Sequence, residues 1–232
     1  MAHQGSRAFR VRVKGPLACF TRPELKVERV SYEVMTRSAA RGILQAICWK
    51  PAIEWSVRSV SVLRPVQWAS VRRNEVQSKA TTPDRPLVIE DERTQRNTVC
   101  LRDVEYVIEA SFVMTDVAGP DDNVRKFEEM FARRVERGQH HQPPCLGCRE
   151  FDAEVSLVTD DAPLAPIDPT VRRPLGWMFW DFLWTRPDEK RRDREGGGKV
   201  SPRPLFFDAW LDGGVVKMPT LDEVLAMEGR RA

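Results

Sequence analysis

Long apolar runs, histidine, one-sided charge and the common cofactor signatures are all scarce or missing in this chain. No hydrophobic stretch approaches the ~20 residues of a membrane-spanning helix, so no membrane partner is expected. The opening MAHQGSRAF lacks the apolar core of a signal peptide, and a cytoplasmic location follows as the expectation. There the five cysteines stay reduced, and an odd number at irregular spacing argues against a disulfide framework. No GxGxxG, Walker loop, HExxH or GxSxG occurs, which leaves nucleotide-driven and serine-hydrolase chemistry without support. No cofactor is implied. Thirty-seven basic residues face 34 acidic ones, so the net charge of +3 does not by itself announce nucleic acid.

What is present is an ordinary globular composition, 31% charged and 41% apolar, over 232 residues. That length suits one large domain or two small ones. Arginine clusters locally, at Arg72-Arg73, Arg133-Arg134, Arg172-Arg173 and Arg191-Arg192. Such patches hold phosphates while acids elsewhere cancel the sum. Each pair taken alone reads equally well as solvated surface.

Periodicity supplies the elements. FRVRVK at 9–14 alternates as a half-buried strand, with Phe9, Val11 and Val13 inward. A helix is predicted from about Ser38 to Cys48. Thr36 or Ser38 fits its N-cap, Ile43, Leu44 and Ile47 its apolar stripe, and Pro51 its stop. Residues 53–66 are β-branched and read as a second strand. Residues 67–103 are polar and basic and read as a long loop insertion. A third strand follows at 102–114, then a helix at 122–137 with Val124, Phe127, Phe131 and Val135 on one face and Gly138 as its C-terminal cap. A fourth strand lies near 150–158. The expected fold class is therefore α+β: a ferredoxin-like β-α-β-β-α-β domain over 1–160, a proline-rich linker over 161–175, and a small C-terminal antiparallel β-sheet domain over 176–232. In the last, GWMFWDFLW and PLFFDAWLDGGVVKMP read as strands around the charged TRPDEKRRDREGGGK, with a turn at Asp212-Gly213-Gly214 and a short tail helix over 220–232. The aromatics of these strands read as core packing, with a base-stacking platform as the alternative.

Three long strings then carry a resemblance. TRPELKVERVSYEVMTRSAARGILQAICWKPAIEW at 21–55, VRRNEVQSKA at 71–80 and QPPCLGCREF at 142–151 stand in the order of the type I-C member of the Cas-five family (subtype c, also called d). The likeness spans roughly residues 9–158 closely and the remainder loosely. It implies a subunit of the CRISPR surveillance complex Cascade that binds the 5′ handle of CRISPR RNA. It also implies cleavage of precursor CRISPR RNA within the repeat without metal. The implied partners are that RNA, the backbone and large subunits of the complex and, through the complex, target DNA.

The family places a tyrosine or histidine just before the WKP motif and a Lys-His pair at the start of the second helix. These positions are Cys48, Lys126 and Phe127 here, so only the lysine is retained. Cys48 could act as a thiolate if Lys50 lowered its pKa, or be a buried inert thiol. His140 and His141 are the imidazoles that could have taken over acid-base work. With Cys145 and Cys148 they also make a metal-like spacing, but a cramped one stiffened by Pro143-Pro144, and no metal is expected. For RNA binding the candidates are Arg22, Lys26, Arg29, Arg72 and Arg73 on phosphates and Asn74 on base edges. Local salt bridges within VERV and RRNE are the alternative. Two functions are compatible with this pattern: an endoribonuclease that retains the handle, and a non-catalytic handle-binding scaffold.

Overall fold

The computed structural model describes residues 5–25, 27–78, 88–159, 162–183 and 202–229. Its frame is β5 (Arg93–Met114), a 22-residue strand on which four others pair. β1 (Phe9–Ala18) runs antiparallel to its second half, from Phe9 opposite Ala110 to Ala18 opposite Leu101. β3 (Ile53–Val62) pairs on the other side, Ile53 opposite Met114, with a bulge between Val57 and Ser59. The two-residue β2 (Arg29–Val30) joins in parallel at Thr98 and Val99. β6 (Glu154–Leu157) closes on the free side of β1.

The remaining partner of β5 corrects the sequence reading. Residues 67–103 are not an open loop. β4 (Trp68–Val76) pairs residue by residue with the first part of β5, from Trp68 opposite Leu101 to Val76 opposite Arg93. One helical turn, α2 (Ile89–Glu92), precedes β5. The ribbon escapes detection because neither of its faces is a fully buried one. WASVRRNEV alternates between exposed and half-exposed, so no apolar period exists to be read.

The helices follow their patterns closely. Thr36 caps α1 (Arg37–Ile47), its hydroxyl accepting from the Ala39 N–H at 3.3 Å, and Ala40, Ile43, Leu44 and Ile47 are buried. Asn123 caps α3 (Val124–Glu136), its side chain accepting from the Lys126 N–H at 2.9 Å. Gly138 ends that helix with φ of +62° and donates to Val135 O at 3.1 Å. Both helices cover one face of the sheet over an aromatic core. There Phe131 lies 5.0 Å from Phe9 and 4.7 Å from Trp55, ring centre to ring centre.

β7 (Arg172–Leu183), β8 (Arg203–Asp212) and β9 (Val215–Lys217) extend the same sheet, because β9 pairs with β3 through Ser59, Val60 and Ser61. The path across it is β6-β1-β5-β3-β9-β8-β7. The β8–β9 turn needs its glycines, with φ of +56° at Gly213 and +75° at Gly214. The last described element is α4 (Leu221–Gly229). No helix among the described residues is long and apolar enough to cross a membrane.

The loop from Cys145 to Arg149 is held against the end of β1 by backbone and by the Cys148 thiol, which donates to Cys19 O at 3.6 Å. Cys19 N donates to Leu146 O at 3.0 Å, and Gly147 sits at φ +89°, where a Cβ would come within 2.1 Å of Cys19 O. Gly147→Ala is therefore expected to cost on the order of 2 kcal/mol or more, from strain plus displaced backbone. A lowered urea midpoint with an unchanged slope would register it. An unchanged midpoint would show that the loop moves aside freely.

Candidate functional site

Lys126 occupies the first turn of α3 with its side chain exposed. Nζ lies 2.9 Å from Asp122 Oδ1 and 5.6 Å from the centre of the Phe127 ring. Asp122 is held below the usual carboxylate range by the Lys126 hydrogen bond first, then by the Gly119 N–H, with Lys50 adding to it. The start of α3 thus presents an exposed lysine, held by one carboxylate, beside a helix N-terminus. That is an arrangement suited to an anion.

The other family positions are closed to solvent. Cys48 is fully buried and its carbonyl accepts from Trp55 Nε1 at 3.1 Å. Burial pushes its thiol up, against the opposing pull of Arg134 and Lys50. The thiolate alternative therefore has the wrong surroundings. Phe127 packs against Phe112 at 6.5 Å and belongs to the core.

His140 and His141 stand past the other end of α3. The His141 N–H donates to Ala46 O at 2.7 Å, tying this loop to the last turn of α1. His140 lines a cavity of about 420 Å³ with Arg134 and Asp152. From Lys126 to Gly138 the helix rises about 18 Å at its standard pitch. One phosphate cannot meet both groups, so these four residues do not form a single site. Nor do the histidines converge with Cys145 and Cys148, and no group of three or more metal-ligating side chains gathers among the described residues.

Of the basic candidates, Lys26 lies outside the described residues. Arg22 is half-buried, its guanidinium 4.9 Å over the Tyr32 ring and 4.0 Å from Glu24. Arg29 and Arg73 converge on one carboxylate: their Nη1 atoms lie 3.2 and 3.0 Å from Glu150 Oε1. Arg73 also pairs with Glu75 at 2.7 Å. Ion pairing thus occupies much of their donor capacity. Arg29 also donates to Cys148 Sγ at 3.3 Å. Cys148 is held below the usual thiol range by hydrogen bonding with Cys19, then by Thr21 and the Arg29 charge. Arg72 and Asn74 point away on the exposed side of β4.

A groove that no single stretch of the sequence marks also opens beside α1. About 900 Å³ in volume, it runs along the outer side of that helix, past Gly42, between the Phe20–Pro23 turn and the ends of β7 and β8. Arg22 and Arg149 line it, and no carboxylate does among the described residues. Phe179 and Phe182 wall it, their rings 4.9 Å apart at 62°. GWMFWDFLW held the clue, since Met178 and Trp180 are buried while Phe182 is 47% exposed. The Tyr32 hydroxyl accepts from Phe179 N–H at 3.2 Å, so one buried ring both carries Arg22 and fixes this wall.

Comparison with known proteins places these features in context. The family model for CRISPR-associated protein Cas5, subtype d, matches residues 9–218. The chain is 46% identical over 227 residues to the CRISPR pre-crRNA endoribonuclease Cas5d of Mannheimia succiniciproducens, covering 91% of this chain and 94% of that one. It is 41% identical over 217 residues to the protein of the same name from Thermus thermophilus, covering 91% of each. A solved structure described as a CRISPR-associated protein superposes with a TM-score of 0.72 at 25% identity, over 97% of both chains.

Proposed function

This chain belongs to the CRISPR-associated Cas5 family, subtype d, and on that premise we propose that it binds the 5′ handle of CRISPR RNA as a Cascade subunit and cleaves precursor CRISPR RNA within the repeat. Its partners on this reading are that RNA, the backbone and large subunits of the complex and, through the complex, target DNA. The order β1-α1-β3-β5-α3-β6, lying side by side as β6-β1-β5-β3, supports reading residues 1–160 as a ferredoxin-like RNA-binding domain. Residues 161–175 then connect it to a C-terminal strand unit over 176–232.

The observation that carries the catalytic part is Lys126, exposed at a helix N-terminus and oriented by Asp122. Metal-free cleavage proceeds by attack of a ribose 2′-hydroxyl on the adjacent phosphate. Charge grows on the phosphate oxygens as this happens, and a fixed ammonium stabilises it. The 2′-hydroxyl proton must leave and the departing 5′-oxygen must gain one. Neither Cys48 nor Phe127 is placed to do either, because both are buried. That burial favours a second reading, a handle-binding scaffold without cleavage. His140 and His141 would serve only as a separate site at the far end of α3.

The test is a labelled repeat RNA from the array beside the gene, incubated in EDTA with wild type, Cys48→Ala and His140→Ala/His141→Ala proteins. Cleavage by all three is the expected result. Loss in the histidine pair alone would move the chemistry to the end of α3. Tight binding with no cleavage by wild type would establish the scaffold reading. In the binding arm, Arg22→Ala should lower the slope of log affinity against log salt by about 0.7, one single-strand phosphate contact. An unchanged slope would mean that Arg22 serves only Tyr32 and Glu24.

A further inference from the structure

The groove along α1 has a composition that its packing does not require. We infer that it holds an unpaired stretch of RNA, with a base stacked on Phe182 and backbone phosphates on Arg22 and Arg149. The inference rests on the RNA-binding reading above and specifies where and in what form the strand is held.

Charge is the first argument. In a chain with 34 acidic residues, a groove of this size lined among the described residues by two arginines and no carboxylate is complementary to an anion. The two cations differ in preparation. Arg22 is held in place over Tyr32, whereas Arg149 is exposed and makes no hydrogen bond or ion pair among the described residues. One is a preset anchor and the other a free arm.

The aromatic wall is the second argument. Phe182 leaves nearly half of its surface in water at the edge of the groove, while its neighbours Trp180 and Asp181 are buried. The Phe182 N–H donates to Asp181 Oδ1 at 2.9 Å, so the backbone under the exposed ring is fixed. A rigidly mounted, half-exposed ring beside two guanidinium groups is the combination by which single strands are held. Bases stack on the ring, and the charges follow the backbone.

The floor is the third. Gly42 sits mid-helix, where glycine costs up to about 1 kcal/mol relative to alanine, yet a Cβ there would meet nothing within 4 Å. No protein contact requires the glycine. Its lack of a side chain leaves the groove open instead. A volume of about 900 Å³ falls in the range of sites that enclose a small molecule. A short unpaired stretch of RNA fits a site of that size.

The test compares a fluorescein-labelled oligouridine of about ten nucleotides, within the usual single-strand site size, with a duplex of the same length. The repeat RNA is run alongside. Wild type is expected to prefer the single strand. Phe182→Ala should weaken that binding about tenfold, with Phe182→Trp restoring it, and Arg149→Ala should weaken it and lower the salt slope. Gly42→Leu should fill the groove and abolish the preference while the protein stays folded, as circular dichroism and the melting temperature would verify. Arg172→Ala, which removes an arginine stacked on Trp210 elsewhere, serves as the charge control. Wild type that binds no RNA at all would sink the reading beneath. Repeat RNA bound equally by wild type, Phe182→Ala and Gly42→Leu would overturn this inference alone and leave the groove to a protein partner.

Discussion

Lys126→Ala is expected to slow cleavage of the repeat RNA about a hundredfold, with binding of the RNA nearly unchanged. A preset cation acts on charge that develops in the transition state, and losing one such contact costs on the order of 3 kcal/mol. Ground-state binding is spread over many phosphate contacts, so a single lysine contributes little to it. Folding should be unaffected. The side chain is exposed and its pair with Asp122 is a surface ion pair, a kind that stabilises weakly. Lys126→Arg keeps the charge and should recover part of the rate. Single-turnover kinetics separate the two effects, since a uniform binding loss would disappear at saturating protein. Full activity in Lys126→Ala would remove this lysine from the mechanism. The two buried family positions would then leave no residue in its place at that corner.

Asp181→Ala should cause a large loss of stability. This carboxylate on β7 accepts from Arg37 Nη1 at 3.0 Å and from Arg41 Nη2 at 2.9 Å, both on α1. All three side chains are less than one-fifth exposed, and Arg37 also lies 3.9 Å over the Trp180 ring. Burial pushes the Arg37 guanidinium below its ordinary value, a sign that it depends on its partner. Removing the aspartate leaves two buried cations facing each other, and breaking a buried pair this way typically costs about 3–5 kcal/mol. For a chain of this size that is a fall of roughly 10 °C in Tm. Replacing all three by apolar residues of similar volume should restore much of it, because the cost arises from unpaired charge rather than lost attraction. A shift under a few degrees for Asp181→Ala would show that water reaches the arginines. The same change should loosen Phe182, whose N–H Asp181 also holds.

Parts of this architecture were legible before any coordinates because they rest on local rules. Thr36, the Ile43-Leu44-Ile47 stripe and Pro51 delimit α1. The Phe127-Phe131-Val135 stripe and Gly138 mark α3, while its Asn123 cap emerges only from the structure. The alternation of FRVRVK marks β1, and Gly213-Gly214 marks the last turn. Each signal comes from residues within a few positions of one another. The β4 ribbon carries none of them, since its order comes from pairing with β5, whose partner residues lie 17 to 33 positions further along the chain.

The sequence by itself determined the two capped helices, the alternating strands and, through three long strings, the family. The spatial decisions belong to the tertiary structure alone. It pairs Arg29 and Arg73 with Glu150, which tempers their use as phosphate grips, and no local pattern links positions 29, 73 and 150. It buries Cys48 and Phe127 in the core, which withdraws both from chemistry beside Lys126. It brings Arg22, Gly42, Arg149 and Phe182 around a single groove, from four segments far apart in the chain. Charge and stacking depend on distance in space, whereas periodicity and capping depend on distance along the chain. The elements are therefore written locally, and the site exists only once the sheet has closed.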